Sequence, residues 1–375
     1  MFLSFGILSL LVRNLAITDF SRIQVLLGAL GICLWVLDFG SANRLILNHG
    51  KSKASELRRI FFIRLVISTG VLVVILLFVS VTAGLSTAIL LLALWSDLSL
   101  ETLNNFRQVT YKPALYFLTV TGRKFYQFLS ILLLTFDNNI SLNEYSMILI
   151  LSSVIVNFID IRQIRPTWRT IDFRLYFTGK WIWFQSGGTS LAGLDVLIIN
   201  HGLMGVLLPT LAVGKRMSNS LGFIGGVLAP ESMLLTARSG TVNLKNLKKV
   251  FFGALVTLCF STIVFIFEGQ ILRLIMGATY NTSYVWIIRA FLIALPIGII
   301  TSSLNSVLVG LGLFKQASVT TYLSTFVYLA LISIGILTKQ ITTFLTVAII
   351  TNLLIELLLQ IVFLALNERK RNANA

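Results

Sequence analysis

Residues 181–230 decide the fold, with WIWFQSGGTSLAGLDVLIIN (Trp181–Asn200), a short loop and then VLLPTLAVGKRMSNSLGFIGGVLAP (Val206–Pro230). Both segments are apolar enough to enter a bilayer, and the first carries Asp195 among small residues. Lys215 and Arg216 lie about ten residues into the second segment, near the middle of a ~30 Å hydrocarbon core. A charge at that depth costs at least ~2.5–3.5 kcal/mol, so it should face protein or water. Because small residues let helices approach closely, the hairpin predicts the wall of a polar cavity in a helix bundle.

The composition indicates a membrane protein. Hydrophobic residues make up 56% of the chain and charged residues only 12%, whereas a soluble domain has ~25% charged residues. Its mean hydropathy is +0.90. Cys33 and Cys259 lie in apolar runs, where a thiol behaves as a small hydrophobe, so they predict neither a disulfide framework nor a metal site. The predicted class is an all-α polytopic membrane protein.

The hydropathy pattern predicts about 12 transmembrane helices in two six-helix bundles around a central cavity. The first bundle covers residues 1–160, and its first helix is short or truncated. Residues 161–179 form a cytoplasmic connector, and the second bundle covers residues 180–375. The predicted spans are 1–12, 23–39, 61–83, 87–106, 125–136, 145–159, 181–200, 206–230, 250–267, 284–308, 318–337 and 344–366.

The basic residues give this map an orientation. Most of the 30 Lys and Arg residues fall in or beside the loops after even-numbered spans and in the C-terminal tail, in the groups 44–64, 107–124, 162–180, 238–249, 315 and 369–371. The positive-inside rule makes those loops and the C-terminus cytoplasmic. The net charge of +16 is therefore mostly loop charge and does not indicate a nucleic-acid partner.

Motifs of enzyme chemistry are missing from the sequence. It contains no phosphate-cradling Gly-Lys loop, no paired-His zinc motif and no nucleophile elbow. His49 and His201 lie in loops far apart in the sequence, as ordinary surface residues do. The predicted loops are too short to hold a catalytic domain. We therefore expect no enzyme activity, catalytic residue, metal site or cofactor.

The charges inside the predicted spans are the candidate functional residues. Asp97 and Glu101 lie one turn apart near mid-membrane, where they could bind a coupling ion or form a neutralised structural pair. Lys215 and Arg216 could contact an anionic ligand or lock helices together through a salt bridge, for which Asp195 is the available acid.

Two further charges lie nearer the outer membrane surface. Asp195 is only about five residues from the end of its span, so it could be a shallow helix-packing acid as readily as a ligand-binding one. Arg289 lies a few residues inside the tenth span and could contact substrate or extend to the outer interface.

Several short motifs are spread along nearly the whole chain, and their order and spacing are informative together. They are Leu37-Asp38-Phe39-Gly40 with Arg44, Asp195 to Asn200 with Gly205, Leu228-Ala229-Pro230, Leu274 to Gly277 with Tyr280, and Asn305 with Leu308, Gly310 and Gly312. In these the chain resembles the polysaccharide or O-antigen (Wzx-type) flippases of the multidrug/oligosaccharidyl-lipid/polysaccharide exporter superfamily. Two features depart from that pattern: residues 18–21 lack the glycine of the first loop, and no aromatic soon follows Gly205.

The resemblance implies transport of an undecaprenyl pyrophosphate-linked oligosaccharide across the inner (cytoplasmic) membrane by alternating access, for O-antigen or lipopolysaccharide synthesis. The partners would be this polyprenyl-pyrophosphate-linked oligosaccharide, the lipid bilayer and other polysaccharide assembly proteins. Buried cations would offset the pyrophosphate charge, and with no nucleotide-binding motif the energy would come from an ion gradient. The expected substrate contacts are Arg216, Lys215, Arg289 and Asp195, and the expected ion-coupling pair is Asp97 and Glu101.

Two other functions stay open. A multidrug/cation antiporter of the same fold would need an acidic cavity, so the basic pair Lys215 and Arg216 counts against it. A membrane O-antigen polymerase or ligase is less favoured, because the predicted outer loops are short and the spans divide into two sixes.

Overall fold

The computed structural model describes most of the chain, and within the part it describes every regular element is helical. The described residues are 2–38, 54–101, 103–104, 107, 112–136, 140–164, 183–184, 187, 190–201, 207–221, 223–242, 244–277 and 284–373. They fall into two compact units, one of residues Gly6–Gly193 and one of Leu194–Ala375 together with Met1–Phe5. The chain is thus an all-α polytopic membrane protein.

The unit of residues Gly6–Gly193 is organised around helix α4. Its helices are α1 (Phe2–Asn14, which begins in the other unit), α2 (Ile17–Asp38), α3 (Ala54–Ala83), α4 (Leu85–Glu101), α5 (Pro113–Tyr116), the π-helical segment Phe117–Gly122, α6 (Arg123–Phe136) and α7 (Leu142–Ile164). Helix α4 packs against α2, α3 and α7, and it buries leucines on several sides, as a central helix does.

The second unit is organised around helix α13. Its helices are α8 (Leu194–His201), α9 (Leu207–Leu221), α10 (Phe223–Ser239), α11 (Leu244–Ile266), α12 (Glu268–Met276), α13 (Val285–Gly310), α14 (Phe314–Leu337) and α15 (Ile341–Ala373). Helix α13 packs against α9, α10, α11, α14 and α15. Its buried residues are distributed along its whole length, including the polar Thr301 and Ser303, which is the pattern of a helix enclosed by others.

Seven of the described helices are long and apolar enough to cross a membrane. Their apolar segments are 17–37, 61–83, 142–163, 247–266, 285–310, 314–337 and 341–369. Large hydrophobic side chains are exposed on several of them, for example Phe78, which is 68% exposed, and Val81, which is 86% exposed. In a water-soluble protein such faces would be a liability, whereas a lipid environment covers them.

Several predicted spans differ from the observed helices at their ends, and α12 (Glu268–Met276) lies where a loop was predicted. The eighth span was predicted to end at Pro230, but α10 continues to Ser239, because proline is tolerated in membrane helices whose freed backbone groups find other partners. The ninth span was predicted to begin at Val250, whereas α11 begins at Leu244. The expected tail from Asn367 is instead helical to Ala373, since its Arg and Lys residues are good helix formers.

Arg107 was predicted to be a basic loop residue, and that prediction was wrong. Its side chain is completely buried. Its NH2 forms an ion pair with Asp160, and its NH1 donates a hydrogen bond of 2.7 Å to the carbonyl oxygen of Leu100. Burial is tolerated because the guanidinium is both paired and hydrogen-bonded.

Some predictions concern residues outside the described ranges. These are the motif residues Phe39, Gly40, Arg44, Gly205 and Tyr280, most of the connector 161–179, and the basic loop around 44–53. The proposed boundary between two six-helix bundles therefore stays a prediction.

Candidate functional site

The Asp195 carboxylate is the centre of a three-helix polar cluster in the second unit. Asp195 lies in the first turn of α8, its side chain is completely buried, and it accepts a hydrogen bond of 2.7 Å from the Val196 backbone N–H. Lys215 Nζ on α9 lies 2.6 Å from Asp195 Oδ2 and 2.8 Å from Oδ1. The Tyr328 hydroxyl on α14 donates to Oδ2 at 2.6 Å. The buried carboxylate is therefore both neutralised and hydrogen-bonded, as buried charges must be.

Arg216 differs from its neighbour Lys215. It is partly buried on α9, and within the described part of the chain it makes no hydrogen bond or ion pair. Adjacent residues on a helix point about 100° apart, so Arg216 cannot follow Lys215 toward Asp195. Helix α9 thus carries one cation with an acidic partner and one cation whose charge the described residues leave unmatched.

The Asp97 carboxylate is the centre of a second cluster, in the unit of residues Gly6–Gly193. Lys124 Nζ lies 2.9 Å from Asp97 Oδ2 and 2.8 Å from Glu101 Oε1. Gln127 Nε2 donates to Asp97 Oδ1 at 2.7 Å and to the Ser152 hydroxyl at 2.8 Å. Both acids thus have a cation within hydrogen-bond distance, as a neutralised structural pair would, and their predicted ion-coupling role stays a prediction.

A second cation, Arg123, completes this cluster. Its NH1 lies 3.5 Å from Asp97 Oδ1, and its NH2 lies 3.9 Å from Glu101 Oε1. We had assigned Arg123 and Lys124 to a cytoplasmic loop and its flank, whereas both lie in the first turn of α6. The π-helical segment Phe117–Gly122 directly precedes them, and its wider turn changes the direction in which the following side chains point. The hydropathy pattern contains no signal for such a turn.

Arg289 is held by one acid and two aromatic rings. Its Nε lies 3.0 Å from both Oε1 and Oε2 of Glu268, and its NH2 forms an ion pair with the same carboxylate. Its guanidinium carbon lies 4.6 Å from the ring centroid of Trp286 and 5.1 Å from that of Phe265. These contacts account for the position of Arg289 without a ligand. Its predicted role in substrate binding stays a prediction.

Glu356 on α15 is a further intramembrane acid, to which the sequence had assigned no role. Thr321 on α14 donates to its Oε1 at 3.4 Å, and Gln360, one turn further along α15, donates to the same oxygen at 3.2 Å. Within the described ranges no Lys or Arg forms an ion pair with Glu356. The acid itself is visible in the sequence, but its neutral partner Thr321 is not, because Thr321 lies on another helix.

The described ranges contain no group of three or more His, Cys, Asp and Glu side chains that could hold a metal ion. The chemistry that these clusters offer is binding of anions by an unmatched cation, and binding of a proton or cation by an acid.

Solved structures of transporters are similar to this chain along most of its length. The lipid II flippase MurJ, in an inward closed conformation, aligns with a TM-score of 0.64 and 14% identity over 95% of this chain and 85% of its own. An inward-facing multidrug resistance MATE transporter of the MOP superfamily aligns with a TM-score of 0.56 and 12% identity, over 98% of this chain and 94% of its own. The chain shares its overall fold with these two structures.

A Vibrio cholerae MATE transporter, VcmN in its bent form, aligns similarly, with a TM-score of 0.56 and 15% identity over 99% of this chain and 95% of its own. These similar structures are transporters and a flippase, not enzymes, and the comparisons indicate no catalytic family. No protein-family model and no curated protein sequence matches the chain. At such low identities the likeness establishes the fold, and the function has to be inferred from the site.

Proposed function

We propose that the chain is a flippase for an undecaprenyl pyrophosphate-linked oligosaccharide repeat. It would move this lipid from the cytoplasmic to the outer leaflet of the inner membrane by alternating access, for surface polysaccharide or O-antigen assembly. Its C-terminus would lie in the cytoplasm. The fold is compatible with such a cargo, because a protein similar to this chain over most of its length is a lipid II flippase.

The observation that carries the proposal is the contrast between Lys215 and Arg216. Asp195 matches the Lys215 charge, so the charge that remains for a ligand on α9 belongs to Arg216. A pyrophosphate brings at least two negative charges through a low-dielectric layer, where an unmatched cation stabilises it strongly. Arginine stays charged when it is desolvated and presents a planar fork that suits two phosphate oxygens.

The antiporter alternative is weaker on the same grounds. A site for cationic drugs needs a carboxylate without a bound cation, but Asp97, Asp160, Asp195 and Glu268 each have a Lys or Arg within ion-pair distance. Among the acids named in this comparison and in the site, Glu356 has none within the described part of the chain.

The test is complementation in a strain that lacks this gene. Loss of surface polysaccharide, with the lipid-linked repeat accumulating on the cytoplasmic side, is the expected phenotype. Arg216→Ala should abolish complementation, and Arg216→Lys should restore part of it because the charge stays while the fork is lost. Lys215→Ala should reduce complementation less than Arg216→Ala does, when each is normalised to the amount of protein in the membrane.

Lys249→Ala is the matched control, because Lys249 is an exposed lysine whose acidic partner Glu231 is also exposed. Membrane levels of each variant are measured by immunoblot, so that lost protein is not mistaken for lost transport. Full complementation by Arg216→Ala at normal membrane level would mean that the pyrophosphate is bound elsewhere.

A further inference from the structure

Glu356 lies near the middle of the longest described membrane span, residues 341–369. It is fifteen residues from the first residue of that span, which at 1.5 Å per residue corresponds to roughly 22 Å along the helix. An ionised carboxylate at that depth is costly unless a cation matches it, and no described cation does so. The neutral, protonated carboxyl is therefore the form that the surroundings favour.

The neighbours of Glu356 suit both of its protonation states. Gln360 is completely buried, and its Nε2 donates a hydrogen bond to Glu356, while its Oε1 is buried without a hydrogen-bond partner. An amide presents donors on one side and an acceptor on the other. When Glu356 is ionised, Nε2 donates to it. When Glu356 is protonated, a half-turn of the amide lets Oε1 accept the new O–H.

The helices that pack most extensively against α15 are α13 and α14. Their charged and ionisable groups are Arg289 on α13 and Lys315, Tyr322 and Tyr328 on α14. Arg289 pairs with Glu268 and Tyr328 bonds to Asp195, and neither Lys315 nor Tyr322 hydrogen-bonds to Glu356. The side chain that reaches Glu356 from these helices is Thr321, a neutral hydroxyl.

Buried hydroxyl groups on one face of α14 extend from Glu356 toward the Asp195 cluster. Ser318, Thr321, Thr325 and Tyr328 are three or four residues apart, so they share one face of the helix, and all four are buried. We call these four groups the hydroxyl row. In this row Thr321 contacts Glu356, and Tyr328 contacts Asp195. The two residues are about 10 Å apart along the axis of α14. Each hydroxyl can donate and accept, which is what proton transfer along a row requires.

We propose that Glu356 is the proton-binding group that couples transport to a proton gradient, with the hydroxyl row linking it to the Asp195–Lys215 pair beside Arg216. One proton binds to an oxygen of the Glu356 carboxylate and later leaves it, and no other covalent bond changes. The coupling role rests on the proposed flippase function, whereas reversible protonation of Glu356 does not.

Protonation is tested with dicyclohexylcarbodiimide, an apolar reagent that reacts with protonated carboxyl groups inside membranes. The carboxyl proton moves to a carbodiimide nitrogen while the carboxyl oxygen bonds to the central carbon, and rearrangement gives a stable N-acylurea. The wild-type protein in membrane vesicles is labelled over a range of pH without sodium, and the modified peptides are identified by mass spectrometry.

We expect the label on the Glu356 peptide, with a rate that falls about tenfold per pH unit above the midpoint, as for a single titrating group. Asp97 and Asp195 serve as internal controls, because their paired carboxylates should stay unlabelled. No label on Glu356 at any pH, or protection of Glu356 by sodium at constant pH, would overturn the assignment.

Coupling is tested separately, by flipping in proteoliposomes with and without an imposed proton gradient. Glu356→Gln should lose the gradient-driven acceleration, and Glu356→Asp should keep part of it. Thr321→Val should slow gradient-driven flipping severalfold, whereas Thr320→Val should not. Thr320 is an apt control because it is equally buried and its hydroxyl bonds to the same Ala317 carbonyl oxygen.

The two tests fail in different ways. If wild-type protein flips no lipid while Glu356 labels as expected, the proposed cargo is wrong and the proton-binding group stands. If Glu356→Gln keeps the full response to the gradient, or if Thr320→Val slows flipping as much as Thr321→Val does, the proposed coupling is wrong.

Discussion

Lys215 Nζ lies 2.6 Å from Asp195 Oδ2, joining α9 to α8 through a carboxylate with no exposed surface. Tyr328 holds the same oxygen from α14. This pair explains how a lysine and an arginine can be adjacent in a membrane segment: one is neutralised inside the protein and the other remains available. The geometry of Asp195 thus determines which of the two cations can bind a ligand.

The Lys215–Asp195 pair should contribute to stability. Lys215→Met leaves a completely buried carboxylate without its cation, and breaking a buried pair in this way costs about 3 kcal/mol or more. Adding Asp195→Asn should recover most of that loss, because the unmatched charge is then gone. The measurement is thermal unfolding of the purified protein in detergent, and a Lys215→Met variant as stable as wild type would contradict the prediction.

The Asp97–Lys124 pair should behave as a structural contact. A double-mutant cycle with Asp97→Asn and Lys124→Gln should give a coupling energy of roughly 1–3 kcal/mol in unfolding experiments, as for interacting partly buried groups. The exposed Lys249–Glu231 pair is the control, and its coupling should be below about 1 kcal/mol. If the Asp97 cycle shows no coupling while Asp97→Asn removes ion dependence of transport, the predicted ion-binding role of Asp97 would be favoured instead.

Gly310 at the end of α13 should not tolerate a side chain. A Cβ at this position would lie 2.6 Å from the carbonyl oxygen of Met233 and 3.0 Å from the Cβ of Thr236, both on α10. Because backbone must move to make room, Gly310→Ala should destabilise the protein by about 1–3 kcal/mol. Gly70→Ala is the matched control, since nothing lies within 4 Å of its added Cβ and alanine favours helix. Equal melting temperatures for the two variants would disprove this packing argument.

The topology predicts where reporter fusions are active. A fluorescent protein fused after Ala375 should be bright and alkaline phosphatase there inactive, because the basic residues near the end of α15 should be cytoplasmic. Truncation between α14 and α15, with the fusion at Lys339, should give the opposite result. Phosphatase activity at Ala375 would mean that one membrane span is miscounted.

Hydropathy in the sequence was sufficient to predict the fold class. Apolar runs separated by basic loops predicted the helices, and their ends were less well predicted because helix formers such as those after Asn367 carry no hydrophobic signal. Gly310 had been noticed only as part of a motif. Its close contact with Met233 depends on how α10 and α13 cross, which no local pattern encodes.

The candidate site was predicted in part. Intramembrane charges such as Asp97 and Lys215 stand out in sequence because charge is rare there. Their partners do not stand out in the same way: Lys124 looked like the flank of a loop, and Tyr328 is one tyrosine among apolar residues on a distant helix. Which charges are matched depends on contacts between helices far apart in sequence.

The central claim is tested most directly by transbilayer movement of lipid in proteoliposomes that contain only the purified protein. The substrate is a fluorescent undecaprenyl pyrophosphate-linked oligosaccharide, and its exposure is read with an impermeant quencher. The account predicts protein-dependent movement that Arg216→Ala abolishes and Arg216→Lys partly retains, at equal protein incorporation. Movement that is equally fast with Arg216→Ala, or absent with wild-type protein under an imposed gradient of either sign, would contradict it.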